Sequence, residues 1–196
     1  MDKPFSESCA RNQEPILAIL RDVFALPGRI LEIGSGTGQH AVYFGTALPH
    51  LIWQTSDLAE NHPGILAWLK EAALPGVLPP ITLDVNGEWP AQLFSGVFTA
   101  NTLHIVSWDE AQKLIQGAAS ALLPAGQLVF YGPFNYGGQF TSDSNARFEE
   151  WLKARNPKSG IRDVEAVIAC ANQAGLSLTA DHAMPANNRL LVFYKH

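Results

Sequence analysis

The chain has 196 residues, of which 47% are hydrophobic and 16% are charged. This composition excludes an intrinsically disordered protein and predicts one globular domain over residues 1–196. The formal net charge of −5 gives no general attraction to nucleic acid or to an anionic membrane surface. Two distant cysteines and the lack of an apolar run of about 20 residues favour a cytoplasmic protein with no metal centre and no membrane span.

The N-terminal region, residues 1–28, is predicted to form a helix with a polar entry. Apolar residues recur at helical spacing from Ile16 to Phe24, and Pro27 with Gly28 ends the helix. The polar residues 8–12 have two interpretations. They are either a solvated entry to the helix or a flap over a ligand, in which Arg11 faces a carboxylate.

The most informative stretch runs from Ile30 to His40, where a short apolar strand leads into glycines at positions 34, 36 and 38. Such glycines let the backbone turn sharply and pass close to a ligand at the start of a helix. A dinucleotide fingerprint requires glycine at the sixth place of the turn, where this chain has Gln39. The spacing therefore argues against a bound pyrophosphate, although a plain structural turn remains an alternative.

Two further strands are predicted to end in acidic residues. Asp57 closes the strand 51–57, and Asp84 lies near the end of the strand 80–85. A carboxylate at the end of the strand next to a glycine turn can accept hydrogen bonds from both hydroxyls of a ribose. Asp57 is thus a candidate for nucleoside binding, and the alternative is an ordinary helix cap.

The middle of the chain places polar residues after a fourth strand, 96–101. Asn101, Thr102 and His104 follow this strand, and a capping box from Ser107 to Glu110 begins the next helix. His104 is either a base or substrate contact, or a buried histidine with a structural role. Residues 131–162 follow the next strand, 127–130, and are predicted to form an inserted, lid-like segment because their loop is long and polar.

The last two predicted strands cover 176–180 and 190–194. The connection between them, 181–189, is too short for a helical crossover, so the two strands must pair antiparallel. The alternation of strands and helices before them predicts an α/β fold with a mostly parallel sheet.

The segment from Leu31 to Gly38 resembles the first motif of the class I S-adenosylmethionine-dependent methyltransferases. Across nearly its full length the chain is similar to the uncharacterised methyltransferase-like family known as domain of unknown function 938. The stretches that carry this resemblance are residues 11–17, 31–40, 53–57, 131–134, 141–145, 160–163 and 184–188. It implies a Rossmann-like, doubly wound sheet of seven strands, mostly parallel with an antiparallel C-terminal hairpin strand, and helices on both faces. It also implies S-adenosylmethionine as cofactor, with S-adenosylhomocysteine as its product.

The resemblance extends to the individual site residues. The expected cofactor contacts are Arg11, Glu32, Gly34, Ser35, Gly36, Gly38, His40, Asp57, Leu58, Asp84, Val85, Asn101 and Thr102. Hydrogen-bonding side chains of the other stretches are expected to bind a polar substrate, and these are Asn12, Tyr131, Asn145, Arg162, Asn187 and Asn188. The alternative is that they hold the lid to the body of the domain. His104 and Tyr131 are the candidate bases.

The sequence therefore predicts in-line methyl transfer to a small polar molecule. The strand-four signature of nucleic-acid amine methylation is absent, and neither cysteine follows a proline as in cytosine-carbon methylation. Two other functions remain open: a non-catalytic adenosyl-binding or scaffolding protein with the same fold, and an NAD(P)-dependent oxidoreductase. The oligomeric state and the acceptor do not follow from the sequence.

Overall fold

Strands and helices alternate along most of the chain, as the periodicity predicts. The structure, a computed structural model, describes residues 3–196. The strands of the main sheet are Gly28–Ile33 (β1), Leu51–Asp57 (β2), Val77–Thr82 (β3), Phe94–Ala100 (β4), Leu122–Gly132 (β5), Leu176–Met184 (β8) and Asn188–Lys195 (β9). A second sheet has two short strands, Phe134–Asn135 (β6) and Arg162–Asp163 (β7). The helices are Glu7–Val23 (α1), Gln39–Ala47 (α2), His62–Ala72 (α3), Trp108–Ala121 (α4), Asp143–Arg155 (α5) and Val164–Gln173 (α6).

The main sheet has the order β3-β2-β1-β4-β5-β9-β8. The neighbouring strands β3, β2, β1, β4 and β5 pair in parallel. In contrast, β9 runs antiparallel to both of its neighbours, β5 and β8. Residues 185–187 are all that separates β8 from β9. The predicted seven-stranded sheet with an antiparallel C-terminal hairpin strand is confirmed.

Helices cover both faces of the sheet because alternate residues of each strand point to opposite sides. On one face, residues such as Trp53, Phe98 and Val129 pack against the buried sides of α1 and α2. On the other face, residues such as Val97 and Phe130 pack against α4 and α6. The doubly wound arrangement is therefore confirmed as well.

Several local predictions agree with the structure and others differ from it, including the bounds of two strands. Ser107 and Glu110 form the predicted capping box at the start of α4. The strand predicted to end near Asp84 ends instead at Thr82, where its pairing with β2 stops at Asp57. The strand predicted at 127–130 extends over the whole of β5, because β9 pairs with it as far as Gly132.

The segment predicted as a lid, residues 131–162, contains α5 between the two short strands. β6 pairs in parallel with β7, so the two ends of this segment are fastened together. Within residues 3–196, none of the helices is both long and apolar enough to cross a membrane.

Candidate functional site

A crevice is expected between β1 and β4, at the carboxyl ends of the strands. The helix after β1, α2, packs on one face of the sheet, whereas the helix after β4, α4, packs on the other. The chain therefore diverges on either side of this point. Open α/β sheets bind their ligands at such topological switch points.

The glycine turn is packed at both ends and open in its middle. Gly34, Gly36 and Gly38 all have positive φ angles, of 71°, 57° and 90°. A Cβ atom on Gly34 would lie 3.0 Å from the Thr102 hydroxyl, and one on Gly38 would lie 3.0 Å from the Ile65 backbone. A Cβ atom on Gly36 would meet nothing within 4 Å. The backbone at Gly36 is therefore the part of the turn that a ligand can approach closely.

Asp57 joins the end of β2 to this turn. Its Oδ2 accepts a hydrogen bond from the Gly36 amide at 2.7 Å, and its Oδ1 accepts from the Leu58 amide at 2.8 Å and the Asn61 side chain at 2.7 Å. A carboxylate has about four acceptor positions, so one remains, on Oδ2. Binding of ribose hydroxyls by Asp57 stays a prediction, and these three contacts leave one acceptor position for it. Leu58 beside it is 40% exposed and offers an apolar surface.

Asp84 lies next to the segment that continues from β3 along the end of β2. The Leu83 amide donates to the Asp57 carbonyl at 3.0 Å, which places the two aspartates at neighbouring strand ends. Asp84 is exposed, and its Oδ1 accepts from the Asn86 amide at 2.8 Å. Among residues 3–196, its other carboxylate oxygen has no hydrogen-bond partner. Val85 is half-buried and packs against the core.

Glu32 and Ser35 support the turn from inside the protein. Glu32 is only 2% exposed, and its Oε2 accepts from the Ser35 hydroxyl at 2.9 Å and the Trp53 indole at 3.1 Å. Burial raises the pKa of Glu32 to about 7, and the negative charge of Asp57 acts in the same direction. Both side chains therefore fix the shape of the turn through one buried network.

The N-terminal helix presents Arg11 and Asn12 to different surroundings. The Arg11 side chain is 71% exposed and lies 3.9 Å from Glu7, one turn earlier in α1. Asn12 instead faces α2, where its Oδ1 lies 2.7 Å from Nε2 of His40. The structure thus brings Asn12, and not Arg11, into contact with the helix that follows the glycine turn.

His40, predicted as a cofactor contact, is held in the protein interior. Its ring is 5% exposed, stacks on Phe44 at a centroid distance of 5.2 Å, and meets the edge of Phe98 at 6.2 Å. Burial lowers the pKa of His40 to about 4, so the imidazole is neutral at neutral pH. Its Nε2 is already engaged with Asn12.

The residues after β4 close the other side of the switch point. Asn101 has a φ of 58°, in the left-handed region, and its amide donates to the Tyr131 carbonyl at 2.8 Å. The Thr102 hydroxyl accepts from the Thr99 hydroxyl at 2.8 Å and contacts the position of Gly34. Asn101 and Thr102 therefore lie at the mouth of the predicted crevice.

The loop that carries His104 is held by its carbonyl groups. Arg162 donates to the carbonyls of Leu103, at 3.0 Å, and Val106. The two carbonyls between these are bound as well. The Gly160 amide donates to the His104 carbonyl at 2.9 Å, and the Ser159 hydroxyl donates to the Ile105 carbonyl at 2.6 Å. Residues 159–162 thus bind four consecutive carbonyls. Arg162, predicted to bind substrate, is used to hold this loop.

His104 itself is 4% exposed, and its ring meets Phe148 of α5 edge to face at 5.3 Å. Burial lowers the pKa of His104 to about 4, and the positive charge of Arg162 adds to this effect. The imidazole is therefore neutral and a weak base at neutral pH.

Two of the other predicted substrate residues connect the lid to the β8–β9 turn. The Asn145 side chain donates to the Thr141 hydroxyl at 2.9 Å and the Asn187 carbonyl at 3.2 Å. The Asn187 side chain donates to the Ser144 hydroxyl at 3.2 Å. These contacts, like those of Arg162, join residues 141–162 to other parts of the chain, and substrate binding by these residues stays a prediction.

Asn12, Tyr131 and Asn188 come together instead. Tyr131 is 5% exposed at the end of β5, and burial raises the pKa of its phenol. The nearby side-chain amides of Asn12 and Asn188 act on this pKa in the opposite direction and lower it. This cluster is the part of the predicted substrate set that remains grouped.

Two residues with clear structural roles at the turn were missed by the sequence reasoning. The Asn61 side chain donates to Asp57, and the spacing of four residues between them is the sequence feature that indicates this contact. Gln39 accepts from the Ser6 amide at 2.5 Å and from the Thr37 hydroxyl at 3.0 Å, a long-range contact that no local pattern indicates.

A groove of about 390 Å³ lies elsewhere, between α1, α2 and α3. Residues such as Leu17, Val42, Tyr43 and Trp68 line it, together with Gln39. None of the predicted site residues does so. A binding experiment must therefore distinguish a ligand in this groove from one at the crevice.

Comparison with known proteins identifies the family. The family model described as "Protein of unknown function (DUF938)" matches residues 3–195. The chain belongs to this family. Among solved structures it is similar to an O-methyltransferase family protein from Burkholderia thailandensis, with a TM-score of 0.85 and 18% identity, covering 96% of this chain and 57% of that one.

Two other solved structures are similar to the same extent. One is an O-methyltransferase family 2 protein from Planctomyces limnophilus DSM 3776 in complex with apigenin (TM-score 0.84, 13% identity, 96% of this chain and 58% of that one). The other is the O-methyltransferase NcsB1 from neocarzinostatin biosynthesis, with S-adenosylmethionine and 2-hydroxy-5-methyl naphthoic acid (TM-score 0.81, 16% identity, 96% and 55%). The DUF938 chain spans little more than half the length of these proteins. At these identities the likeness establishes a methyltransferase-like Rossmann fold.

Proposed function

We propose that this DUF938 protein is an S-adenosylmethionine-dependent methyltransferase that acts on a small polar molecule. The observation that carries the proposal is the contact between the Gly36 amide and Asp57 at the switch point, beside open space above Gly36. This arrangement leaves a backbone surface and a carboxylate oxygen for one ligand. The bound S-adenosylmethionine of the similar protein NcsB1 supports the choice of cofactor.

The residues at the crevice fit an adenosyl group. Asp57 would accept one ribose hydroxyl through its remaining position, and Asp84 has a free carboxylate oxygen for the adenine amino group. Leu58 would supply an apolar surface beside the base. The cofactor carries its methyl group on a sulfonium sulfur, and the thioether that departs is a good leaving group. The protein therefore has mainly to align the acceptor and exclude water.

The protonation states of His104 and Tyr131 determine whether either residue can remove a proton from the methyl acceptor. Protonating a base of pKa about 4 at pH 7 costs about 4 kcal/mol, since each pKa unit is worth about 1.4 kcal/mol. We therefore assign His104 to contact with the substrate, without proton removal. The phenol of Tyr131 is protonated at neutral pH, because burial raises its pKa.

An NAD(P)-dependent oxidoreductase is a weaker alternative. In the place where a dinucleotide turn requires glycine, Gln39 carries a side chain that binds Ser6 and Thr37. Replacement of this residue by glycine would break the link between the turn and the N-terminal helix. The turn is thus built around a glutamine at this position.

The proposal is tested by calorimetric titration of the full chain with S-adenosylhomocysteine, S-adenosylmethionine, NADH and NADPH. We expect one-to-one binding of the two adenosyl ligands and no heat from the nicotinamide ligands. Asp57→Asn should weaken adenosyl binding about tenfold or more, the worth of a charged hydrogen bond, whereas the exposed control Asp22→Asn should not. Binding of NADH alone would support the oxidoreductase.

Incubation with a labelled methyl donor and pooled metabolites then separates an enzyme from a binding protein. Transfer of label to a small polar compound is the expected result. Tight adenosyl binding with no transfer to any compound would favour the non-catalytic, scaffolding alternative.

A further inference from the structure

A short segment before α1 crosses from the glycine turn to α3, and we call its residues 3–6 the N-terminal strap. At one end, the Ser6 amide donates to Oε1 of Gln39 at 2.5 Å, and Nε2 of Gln39 donates to the Ser6 carbonyl at 3.3 Å. The same Gln39 oxygen accepts from the Thr37 hydroxyl at 3.0 Å. The strap is thus bonded to the residue that follows the glycine turn.

The other end of the strap lies on α3. The Trp68 indole donates to the Pro4 carbonyl at 2.6 Å. The Lys3 ammonium lies 3.8 Å from the centre of the Trp68 ring and 2.7 Å from Oε1 of Glu71. Gly64 makes room for the strap, because a Cβ atom there would lie 2.8 Å from Cγ of Pro4. All of these contacts join the strap to one helix.

The two attachment points belong to elements that build the crevice. The glycine turn carries Gly36, whose amide donates to Asp57 at 2.7 Å. The start of α3 reaches the same residue, since Nε2 of His62 lies 3.1 Å from the Asp57 carbonyl. The two elements also meet at Gly38, where an added Cβ atom would lie 3.0 Å from the backbone of Ile65. The strap therefore fastens together the turn and the helix that both contact Asp57.

The composition of the turn gives this fastening a consequence for ligand binding. Glycine has more accessible backbone conformations than other residues, so ordering a turn with three glycines loses more entropy. A turn that is already held in its folded shape loses less entropy when a ligand binds to it. By linkage, a ligand that orders the turn strengthens the attachment of the strap by the same factor.

The strap is attached weakly enough to open while the domain stays folded. Pro4 and Phe5 are exposed, and the Glu71 side chain that Lys3 contacts is 69% exposed. None of the four strap residues belongs to the buried core. A segment with few buried apolar contacts and with exposed hydrogen bonds opens locally with a small change in free energy.

We propose that the N-terminal strap controls how tightly the crevice holds its ligand, because docking of the strap and binding of the adenosyl ligand stabilise each other. The identity of the ligand rests on the proposed function, whereas the coupling between the strap and the turn does not. A docked strap keeps the turn in the shape that leaves Gly36 open. When the strap is released, the turn becomes more mobile and the ligand dissociates faster.

The first measurement needs no ligand. Gly64→Leu places a side chain where Pro4 lies and should displace the strap, although leucine is favoured over glycine inside a helix. Amide hydrogen exchange of Ser6 reports docking of the strap, and exchange of Gly36 and Gly38 reports the state of the turn. We expect all three amides to exchange about fivefold faster or more in the variant, with no decrease in the urea midpoint of unfolding.

A second variant and a control accompany this one. Trp68→Phe keeps an aromatic ring for Lys3 but removes the donor to the Pro4 carbonyl, so the same three amides should exchange faster. Lys70→Ala changes an exposed residue of the same helix and should leave these amides within about twofold of the wild-type rates. If Gly64→Leu does not fold, Trp68→Phe decides alone.

The second measurement uses S-adenosylhomocysteine as the probe. Saturating the wild-type chain with it should slow exchange of the Ser6 amide about fivefold or more. Calorimetry should show that Gly64→Leu weakens the affinity by a similar factor, because the coupling is reciprocal. Lys70→Ala should bind the probe as the wild type does.

The outcomes separate this inference from the proposed function. Wild-type exchange rates at Gly36 and Gly38 in a variant whose Ser6 amide exchanges faster overturn the inference, since the strap would then not hold the turn. Unchanged Ser6 exchange in the saturated wild type overturns it as well. A wild-type chain that does not bind S-adenosylhomocysteine overturns the proposed function, and the ligand-free exchange of Gly36 and Gly38 still decides whether the strap holds the turn.

Discussion

The two sides of the switch point are built differently. On the side of β1 and β2, the glycine turn and Asp57 are close in sequence to the elements that carry them, and their contacts leave Gly36 open to a ligand. On the side of β4 and β5, Arg162, Asn145 and Asn187 come from distant segments and are bound to other parts of the chain.

The two sides therefore differ in how many of their polar groups are already bonded within the protein. The first side keeps a carboxylate position free, whereas most of the polar groups of the second side already have partners. A polar side chain in a lid is therefore weak evidence for substrate binding until its partners are known.

The largest effect is expected for Asp57→Ala. The change leaves the amides of Gly36 and Leu58 and the side chain of Asn61 without their acceptor. We expect a loss of about 3 kcal/mol in the free energy of unfolding and about 10- to 100-fold in affinity for S-adenosylhomocysteine. Urea denaturation measures the free energy of unfolding, and calorimetry measures the affinity. Unchanged affinity in a folded variant would remove Asp57 from the site.

The next effect concerns Glu32 and pH. Its folded-state pKa of about 7 lies above the ordinary value of 4.5, so the folded state holds the proton more tightly. The resulting stabilisation is complete below pH 4.5 and is lost as the pH rises through 7. Between pH 4.5 and 8 the wild type should lose up to about 3 kcal/mol relative to Glu32→Gln, at about 1.4 kcal/mol per pKa unit.

This comparison is made by measuring the free energy of unfolding of both proteins at several pH values. His40 and His104 titrate in both proteins, so their contributions cancel in the difference. A difference that does not depend on pH would show that Glu32 ionises normally beneath the turn.

Arg162→Gln tests the lid side. The variant loses the bonds to the carbonyls of Leu103 and Val106 and the positive charge near His104. We expect a loss of about 2 kcal/mol in stability and a rise in the pKa of His104, followed by NMR of the histidine ring. Arg155→Gln, at an exposed arginine that lies over Trp151, is the control. A His104 pKa that does not change would place Arg162 outside its electrostatic environment.

A smaller effect is expected for Asn145→Ala. It removes two hydrogen bonds that tie the start of α5 to Thr141 and to the β8–β9 turn. We expect a loss of about 1 kcal/mol and faster amide hydrogen exchange confined to α5. Asn172→Ala on the exposed side of α6 serves as the control. Exchange that speeds up equally across the sheet would contradict a local role in holding the lid.

The smallest effect on cofactor binding is expected for His104→Ala. Because the ring is buried and faces Phe148 of α5, affinity for S-adenosylhomocysteine should change by less than about twofold. Transfer of a labelled methyl group to the acceptor should fall. Equal losses of binding and transfer would make His104 a wall of the cofactor site.

The sequence was sufficient where a local pattern determines the structure. The glycines of the turn, the capping box of Ser107 and the hairpin of β8 and β9 each follow from a few neighbouring residues, and the fold built from them is confirmed. The end of β3 was placed too late, because pairing with β2, and not the apolar pattern, decides where it stops. The carbonyls of Leu103 and Val106, which Arg162 binds, lie 59 and 56 residues away from it, so no local pattern indicates these contacts.

We propose that the crevice at Gly36 and Asp57 binds the adenosyl cofactor. Backbone NMR of the full chain during titration with S-adenosylhomocysteine locates the bound ligand. We expect the largest shifts on the amides of Gly34, Gly36 and Leu58. Shifts centred instead on Val42, Tyr43 and Trp68, which line the groove between α1, α2 and α3, would contradict it.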